Sequence, residues 1–322
     1  MRYGLSCGKH WLMAALVITF IPVTDGYSRP NMSPLGPNIA EKGSTFYHFT
    51  VNNFNSADGK RHYRVWTGIP DKAPPVAGYP VLYMLDGNAV MDRLSDGLLE
   101  TASEHNPAVL IVTGYQTDKP FDLEARSYDY TPLVLEDGEE CNKQAIRGRA
   151  CGGSTIFRQM LETEIAPQAE RGLKINPAQR GIWGHSFGGL FVLDSWLNSS
   201  FFKAYYATSP SLNSDWSGLL NQLKTVNRQF VCDKQLYLAD GDGAPEPNPL
   251  TPAVKSHNKI LVTLSLLRRE GLSVTHWSYP QRTHGEMFNI GFQQALLDIS
   301  ANGAGKNKAS CSRVTPAPAK SS

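Results

Sequence analysis

Residues 179–197, QRGIWGHSFGGLFVLDSWL, constrain this chain more than any other stretch. An apolar, strand-like run stops at Gly184-His185-Ser186-Phe187-Gly188-Gly189 and resumes at once as a helix-like run. Glycine loses more backbone freedom on folding than any other residue. Gly184, Gly188 and Gly189 are therefore costly inside a strand or helix, unless side chains there would strike neighbouring chain. The expectation is a sharp turn that lifts the Ser186 hydroxyl clear of the backbone.

The flanking sequence repeats the alternation. Strand-like runs are read at 46–51, 62–69, 79–87 (YPVLYMLDG), 108–115 (AVLIVTGY), 179–185, 202–211 (FKAYYATSPS), 234–243 (KQLYLADGDG) and 273–280 (SVTHWSYP). Helix-like runs are read at 89–104, 154–172, 187–198, 216–226, 253–270 and 287–300. Residues 29–43 read as an irregular arm, 52–59 as a turn and 125–132 as a loop. Strands alternating with helices imply a mostly parallel central sheet with helices on both faces. In such sheets ligands bind beyond the carboxyl ends of the strands. The Asp86 turn, the Ser186 turn, the Asp240 turn and the loop after Pro280 are expected to meet there. Trp183, inside its strand, is expected in the core.

The chain has 322 residues, 41% hydrophobic and 10% aromatic, enough for a sizeable core. Its net charge of +2 shows no clustered basic run, so nucleic-acid binding gains no support. Residues 1–27 read as an export signal: Arg2 and Lys9 precede an apolar stretch, Trp11 to Val23, that is short for a membrane span. An uncleaved tether is the other reading of that segment. The remainder is expected to form one domain over 28–302, with a polar tail over 303–322. No stable membrane insertion beyond the N-terminal segment is expected, and the protein is expected to be a monomer.

Of five cysteines, Cys7 precedes the apolar stretch. The other four suit two disulfides in an exported chain. Three pairings exist, and Cys141–Cys151 with Cys232–Cys311 is favoured, the second tethering the tail. Loop entropy would give them about 3 and about 4.5 kcal/mol. No cysteine or histidine spacing suggests a metal, and no cofactor is expected.

Gly-x-Ser-x-Gly between a strand and a helix is the nucleophile elbow of the α/β-hydrolase fold. Serine needs a base to attack at neutral pH, and in this fold the histidine comes last. His284, in YPQRTHGEMF after the final strand, fits that place. His276 lies within the strand, and His185 is expected to support the turn or line the pocket. Asp240 and Asp242, with Glu246 behind them, are candidates for a third member, and a Ser–His dyad is the alternative. The amide of Phe187 and that of Asn88, with Gly87 as fallback, are the expected oxyanion donors.

YPVLYMLDGNAVMD, ARSYDYTP, GIWGHSFGGLFVLDSWL, YYATSPSLN and YPQRTHGEMF together resemble the esterase-D-like branch of α/β-hydrolases. Within it the chain is similar to periplasmic trilactone siderophore esterases of the IroE type. The resemblance implies periplasmic hydrolysis of the tris-serine lactone of enterobactin or its glucosylated salmochelin forms. It implies Ser186 as nucleophile and His284 as base, with no acid required. The expected partner is a catecholate siderophore, ferric or apo. Such a substrate is anionic, and Arg126 and Arg282, expected near the surface, are candidates to neutralise it. An ion pair with Asp129 is the structural alternative for Arg126. A general carboxylesterase, thioesterase or acyltransferase of the same fold, and a siderophore-binding protein without turnover, are the competing functions.

Overall fold

The structure, a computed structural model, describes residues 30–133, 141, 148–212, 218–243 and 252–303. The expected export segment, Glu246, Cys311 and the tail lie outside the described residues.

Eight strands form one sheet: β1 (Tyr47–Asn55), β2 (His62–Pro70), β3 (Tyr79–Met84), β4 (Val109–Tyr115), β5 (Ile175–His185), β6 (Ala204–Thr208), β7 (Gln235–Gly241) and β8 (Ser273–Tyr279). Their order is β1-β2-β4-β3-β5-β6-β7-β8. The β1–β2 and β2–β4 pairs are antiparallel. Every other pair is parallel. Strands β3, β4 and β6 are buried along their whole length, as continuous apolar runs covered on both faces should be.

The helices are α1 (Ile39–Lys42), α2 (Gly87–Arg93), α3 (Asp96–Ser103), α4 (Leu123–Asp129), α5 (Ser154–Met160), α6 (Ala166–Ala169), α7 (Phe187–Asn198), α8 (Gly218–Thr225), α9 (Arg228–Val231), α10 (Pro252–Arg269) and α11 (Glu286–Asn302). Alternate side chains of each strand feed two cores. Val81, Tyr83 and Ile182 join Phe191 and Trp196 of α7 on one face. Leu82, Met84 and Trp183 join Phe288 and Phe292 of α11 on the other. Trp183 is fully buried, with its indole N–H donated to Thr208 Oγ1 at 2.9 Å.

Four local differences have physical causes. Strand β1 runs on through Asn55, since Asn52 to Asn55 pair with β2. The helix read over 89–104 is two. It breaks at Leu94, whose ψ is 122°, and Ser95 caps the second by accepting from the Leu98 amide. The loop read at 125–132 holds α4, capped by Asp122 through the Glu124 and Ala125 amides. Strand β5 begins at Ile175, and its register against β3 shifts between Tyr79 and Val81. The bulge takes in Pro177, which has no N–H to offer a ladder.

The helix read over 154–172 widens into a π turn at Leu161–Ile165, just before Pro167 of α6. Cys141 and Cys151 are disulfide-bonded, with Cα atoms 5.9 Å apart. The expected Cys232–Cys311 pair cannot be described on its Cys311 side; Cys232 itself is buried. Among the described residues no helix is long and apolar enough to cross a membrane.

Candidate active site

The carboxyl ends of β3, β5, β6 and β7, and the turn after β8, lie at one edge of the sheet. Ser186 sits between β5 and α7 with φ 59° and ψ −115°, a conformation that costs a non-glycine residue about 1–3 kcal/mol. The end of β6 and the loop after it hold it there. The Ser186 amide donates to the Thr208 carbonyl at 3.0 Å, and the Ser211 amide donates to the Ser186 carbonyl at 3.1 Å. The glycines explain themselves in part as expected. A Cβ at Gly184 would collide with the carbonyl of Gly188. At the other end the tight position is Gly189, where a Cβ would lie 2.8 Å from the Thr208 oxygen. A Cβ on Gly188 would meet nothing closer than 3.6 Å, so the clash expected of a side chain at that position is not found.

His284 stands in the turn between β8 and α11. Thr283 and Glu286 brace that turn. The Thr283 amide and hydroxyl both donate to Glu286 Oε2 at 2.8 Å, and the Glu286 amide donates back to Thr283 Oγ1 at 3.4 Å. His185 lies beneath: its Nε2 donates to the His284 carbonyl at 2.8 Å, and the two rings are 4.6 Å apart. A carbonyl only accepts, so His185 carries its proton on Nε2. Burial first, then the neighbouring His284, hold the His185 pKa well below the ordinary imidazole value. Burial also pushes His284 down to about 4; the Asp240 carboxylate works against that shift and the Arg126 charge adds to it.

The structure separates the acidic candidates. Asp240, at the end of β7, is half-buried and its charge acts on His284. Asp242 is exposed and accepts the Gln281 amide, fixing the turn at Gln281, whose φ is 64°. Side chains at Gly241 or Gly243 would strike the carbonyls of Arg282 and Gln281, so the Asp240 loop and the His284 turn are packed backbone to backbone.

Asp86 takes the left-handed conformation, φ 54° and ψ 44°, at the start of α2. Its carboxylate does not cap the helix. It is gripped by Arg126, Nε to Oδ1 at 2.8 Å and Nη2 to Oδ2 at 2.9 Å. The Asp86 amide donates to the Tyr130 hydroxyl at 3.2 Å. The Asn88 side chain is fully engaged: it donates to the carbonyls of Tyr115 and Thr117 at 3.0 Å each and accepts the Tyr115 amide at 2.8 Å. Gly87 and Gly114 let the two chains cross, since a Cβ on Gly87 would lie 2.7 Å from the Gly114 nitrogen. The backbone from Asp86 to Asn88 is therefore fixed at both flanks.

Two arginine expectations are corrected here. Arg126 is buried, not near the surface. Its partner is Asp86 rather than Asp129, and its guanidinium carbon lies 5.5 Å from the Phe187 ring. Asp129 pairs instead with Arg61 Nε at 3.1 Å and accepts from the hydroxyls of Tyr63 and Tyr115 at 3.2 and 3.0 Å. The Asp86–Arg126 pair forms because the Asp86 turn and α4 converge on one strand edge, which residue spacing does not reveal. Arg282 is exposed and reaches Glu286 at 3.4 Å. Among the described residues no group of three or more His, Cys, Asp or Glu side chains is placed to hold a metal.

Comparison with known proteins agrees with this architecture. The Esterase family matches residues 56–230. The apo-salmochelin esterase of Escherichia coli O6:H1 is 50% identical over 287 residues, which is 89% of this chain and 90% of that protein. The solved structure of the enterobactin and salmochelin hydrolase IroE superposes with a TM-score of 0.73 at 50% identity, covering 82% of this chain and 99% of that one. IroE in complex with DFP superposes equally well, with the same TM-score, identity and coverage. The expected α/β-hydrolase fold is borne out, with its mixed but mostly parallel sheet between helices. The chain belongs to the Esterase family, as a relative of the apo-salmochelin esterase.

Proposed function

We propose that this protein is a serine esterase that opens the trilactone backbone of catecholate siderophores of the enterobactin and salmochelin type. The observation that carries the reading is the 50% identity to an apo-salmochelin esterase across 89% of the chain, with Ser186 held strained in the turn after His185, whose ring meets that of His284.

The chemistry follows from the geometry. His284, neutral above about pH 4, accepts the Ser186 proton as the serine oxygen attacks a lactone carbonyl. The developing oxyanion is met by the amide of Phe187, a first-turn N–H without an intrahelical acceptor, and by that of Asn88, or of Gly87 if the substrate sits deeper. The ester oxygen leaves with the proton held on His284, and a serine hydroxyl of the siderophore is freed. Water then repeats the sequence on the acyl-enzyme and releases a carboxylate. Asp240 orients the imidazole and favours its charged form. Arg282, exposed beside His284, meets the anionic catecholates, whereas Arg126 serves the site by holding Asp86.

The setting proposed is the periplasm. Residues 1–27 direct export, residues 28–302 act as one monomeric domain, and Cys232–Cys311 tethers the tail. The test is mass spectrometry of products from purified protein with enterobactin and its glucosylated form, each with and without iron, beside p-nitrophenyl esters and S-formylglutathione. Linear trimers, dimers or monomers formed in preference to cleavage of the simple esters support the reading. Turnover of the simple esters alone would return it to a general esterase. Quenching of tryptophan fluorescence by the siderophore without any product would make it a binding protein.

A further inference from the structure

Ser186 Oγ lies 2.9 Å from the hydroxyl oxygen of Ser211. We propose that Ser211 is a positioning residue for the nucleophile: its hydroxyl holds the Ser186 oxygen in place at rest and donates a hydrogen bond to it as charge develops. This inference rests on the reading of Ser186 as the nucleophile.

Three contacts come from one short segment, the end of β6 and the residues that follow it. The Thr208 carbonyl takes the Ser186 amide and the Ser211 amide takes the Ser186 carbonyl. The Ser211 side chain then meets the Ser186 side chain. Both peptide groups of the strained residue are thus clamped by the segment that also supplies a hydroxyl to its reactive atom. The clamp is close: a Cβ on Gly189 would lie 3.1 Å from Pro210 Cα. Ser211 is half-buried, so its hydroxyl is partly shielded from competing water.

A hydroxyl both donates and accepts. In the resting enzyme Ser186 can donate to Ser211. When the Ser186 O–H bond breaks, its proton passes to the His284 imidazole. The serine oxygen pair forms the bond to the lactone carbonyl carbon, and the carbonyl π pair withdraws onto the carbonyl oxygen. Ser211 keeps its own proton and turns it toward the Ser186 oxygen. While the O–H bond breaks ahead of full bonding to carbon, partial negative charge collects on the Ser186 oxygen, and the bond from Ser211 strengthens with it, since hydrogen bonds to charged acceptors are the stronger ones. Only interactions that strengthen in the transition state raise kcat. The same bond forms again in deacylation, when the Ser186 oxygen departs carrying negative charge. Both halves of the reaction therefore gain.

The experiment measures steady-state kinetics on enterobactin and on p-nitrophenyl butyrate, and the rate of inactivation by diisopropyl fluorophosphate. It compares wild type, Ser211→Ala, Ser211→Thr and Ser186→Ala. The account expects Ser211→Ala to lose about tenfold in kcat on both substrates, with KM within about twofold. The rate of serine phosphorylation, with fluoride as the leaving group, should fall in parallel, since it needs only attack by the serine. Ser211→Thr, which restores a hydroxyl, should recover most of the loss. A Ser211→Ala enzyme with wild-type kcat and wild-type inactivation rate overturns the inference. So does a change confined to KM, which would make Ser211 a substrate contact. If Ser211→Ala does not fold, Ser211→Cys carries the test: it keeps the size with only a weak S–H donor, and a wild-type kcat in it is equally contrary. Ser186→Ala separates the two claims. Turnover surviving in that variant removes the nucleophile itself, whereas its loss beside a fully active Ser211→Ala removes only the role of Ser211.

Discussion

His185 donates its Nε2 proton to the main-chain oxygen of His284 across 2.8 Å, joining the residue before the proposed nucleophile to the backbone of the proposed base. The two lie 99 residues apart in sequence. The bond fixes how far the His284 turn stands from the elbow. Replacing His185 by Ala removes the donor of a partly buried hydrogen bond, at about 1 kcal/mol. The expected result is a kcat lower by about tenfold or more with folding retained, measured by kinetics alongside thermal denaturation. Wild-type kcat in a folded His185→Ala enzyme would show that the bond does not set the geometry.

Acidity provides a second check. His284 titrates at about 4 because burial disfavours its charged form. A general base must be neutral, so the acid limb of kcat/KM is expected near pH 4 rather than near the ordinary imidazole value of about 6.5. The sign for stability follows. A group with a depressed folded pKa contributes stability that is fully present above its unfolded pKa. That contribution is lost as pH falls from about 6.5 toward 4, because the unfolded chain takes up the proton first. A pH–rate profile on a p-nitrophenyl ester, with melting temperatures at the same pH values, measures both.

Asp240 and Asp242 are expected to part company. Asp240 favours protonated His284, so Asp240→Asn should move the acid limb to lower pH and reduce kcat. Asp242 takes only the Gln281 amide; Asp242→Asn should loosen the turn and leave the pH profile where it was. Equal and small effects from the two would favour a Ser–His dyad.

Arg126 and Asp86 form a buried, bidentate pair. Breaking a buried pair by removing one partner costs about 3–5 kcal/mol, because the other charge is stranded. Arg126→Ala should therefore lower the melting temperature by about 10 °C. It should also raise the His284 pKa, since a cation that disfavours the imidazolium is gone. Arg126→Lys keeps the charge without the fork, and should rescue the pH profile better than the stability. An unchanged melting temperature in Arg126→Ala would contradict the structural role.

The sequence disclosed what local chemistry alone demands. The strand–turn–helix at Ser186 was legible because three glycines in an apolar context have few other uses, and buried strands such as YPVLYM are continuous apolar runs. The place of His284 in the turn between the last strand and the last helix was legible from chain order. What escaped depends on contacts across the sheet. Arg126 meets Asp86 from 40 residues away, and the neighbouring acid at Asp129 looked the nearer partner. Ser211 gave no signal beyond ending a strand-like run. Helix α4 hid because its cap, Asp122, follows a Pro and an aromatic residue that read as loop. The Thr283–Glu286 bonds were readable as Thr-x-x-Glu before an apolar run.

The most direct test is the fate of enterobactin with Ser186→Ala. Trilactone and linear products are followed by mass spectrometry beside the wild-type enzyme. The account predicts that hydrolysis falls by several orders of magnitude while fluorescence quenching by the siderophore persists. Linearisation at near wild-type rate in that variant would contradict it.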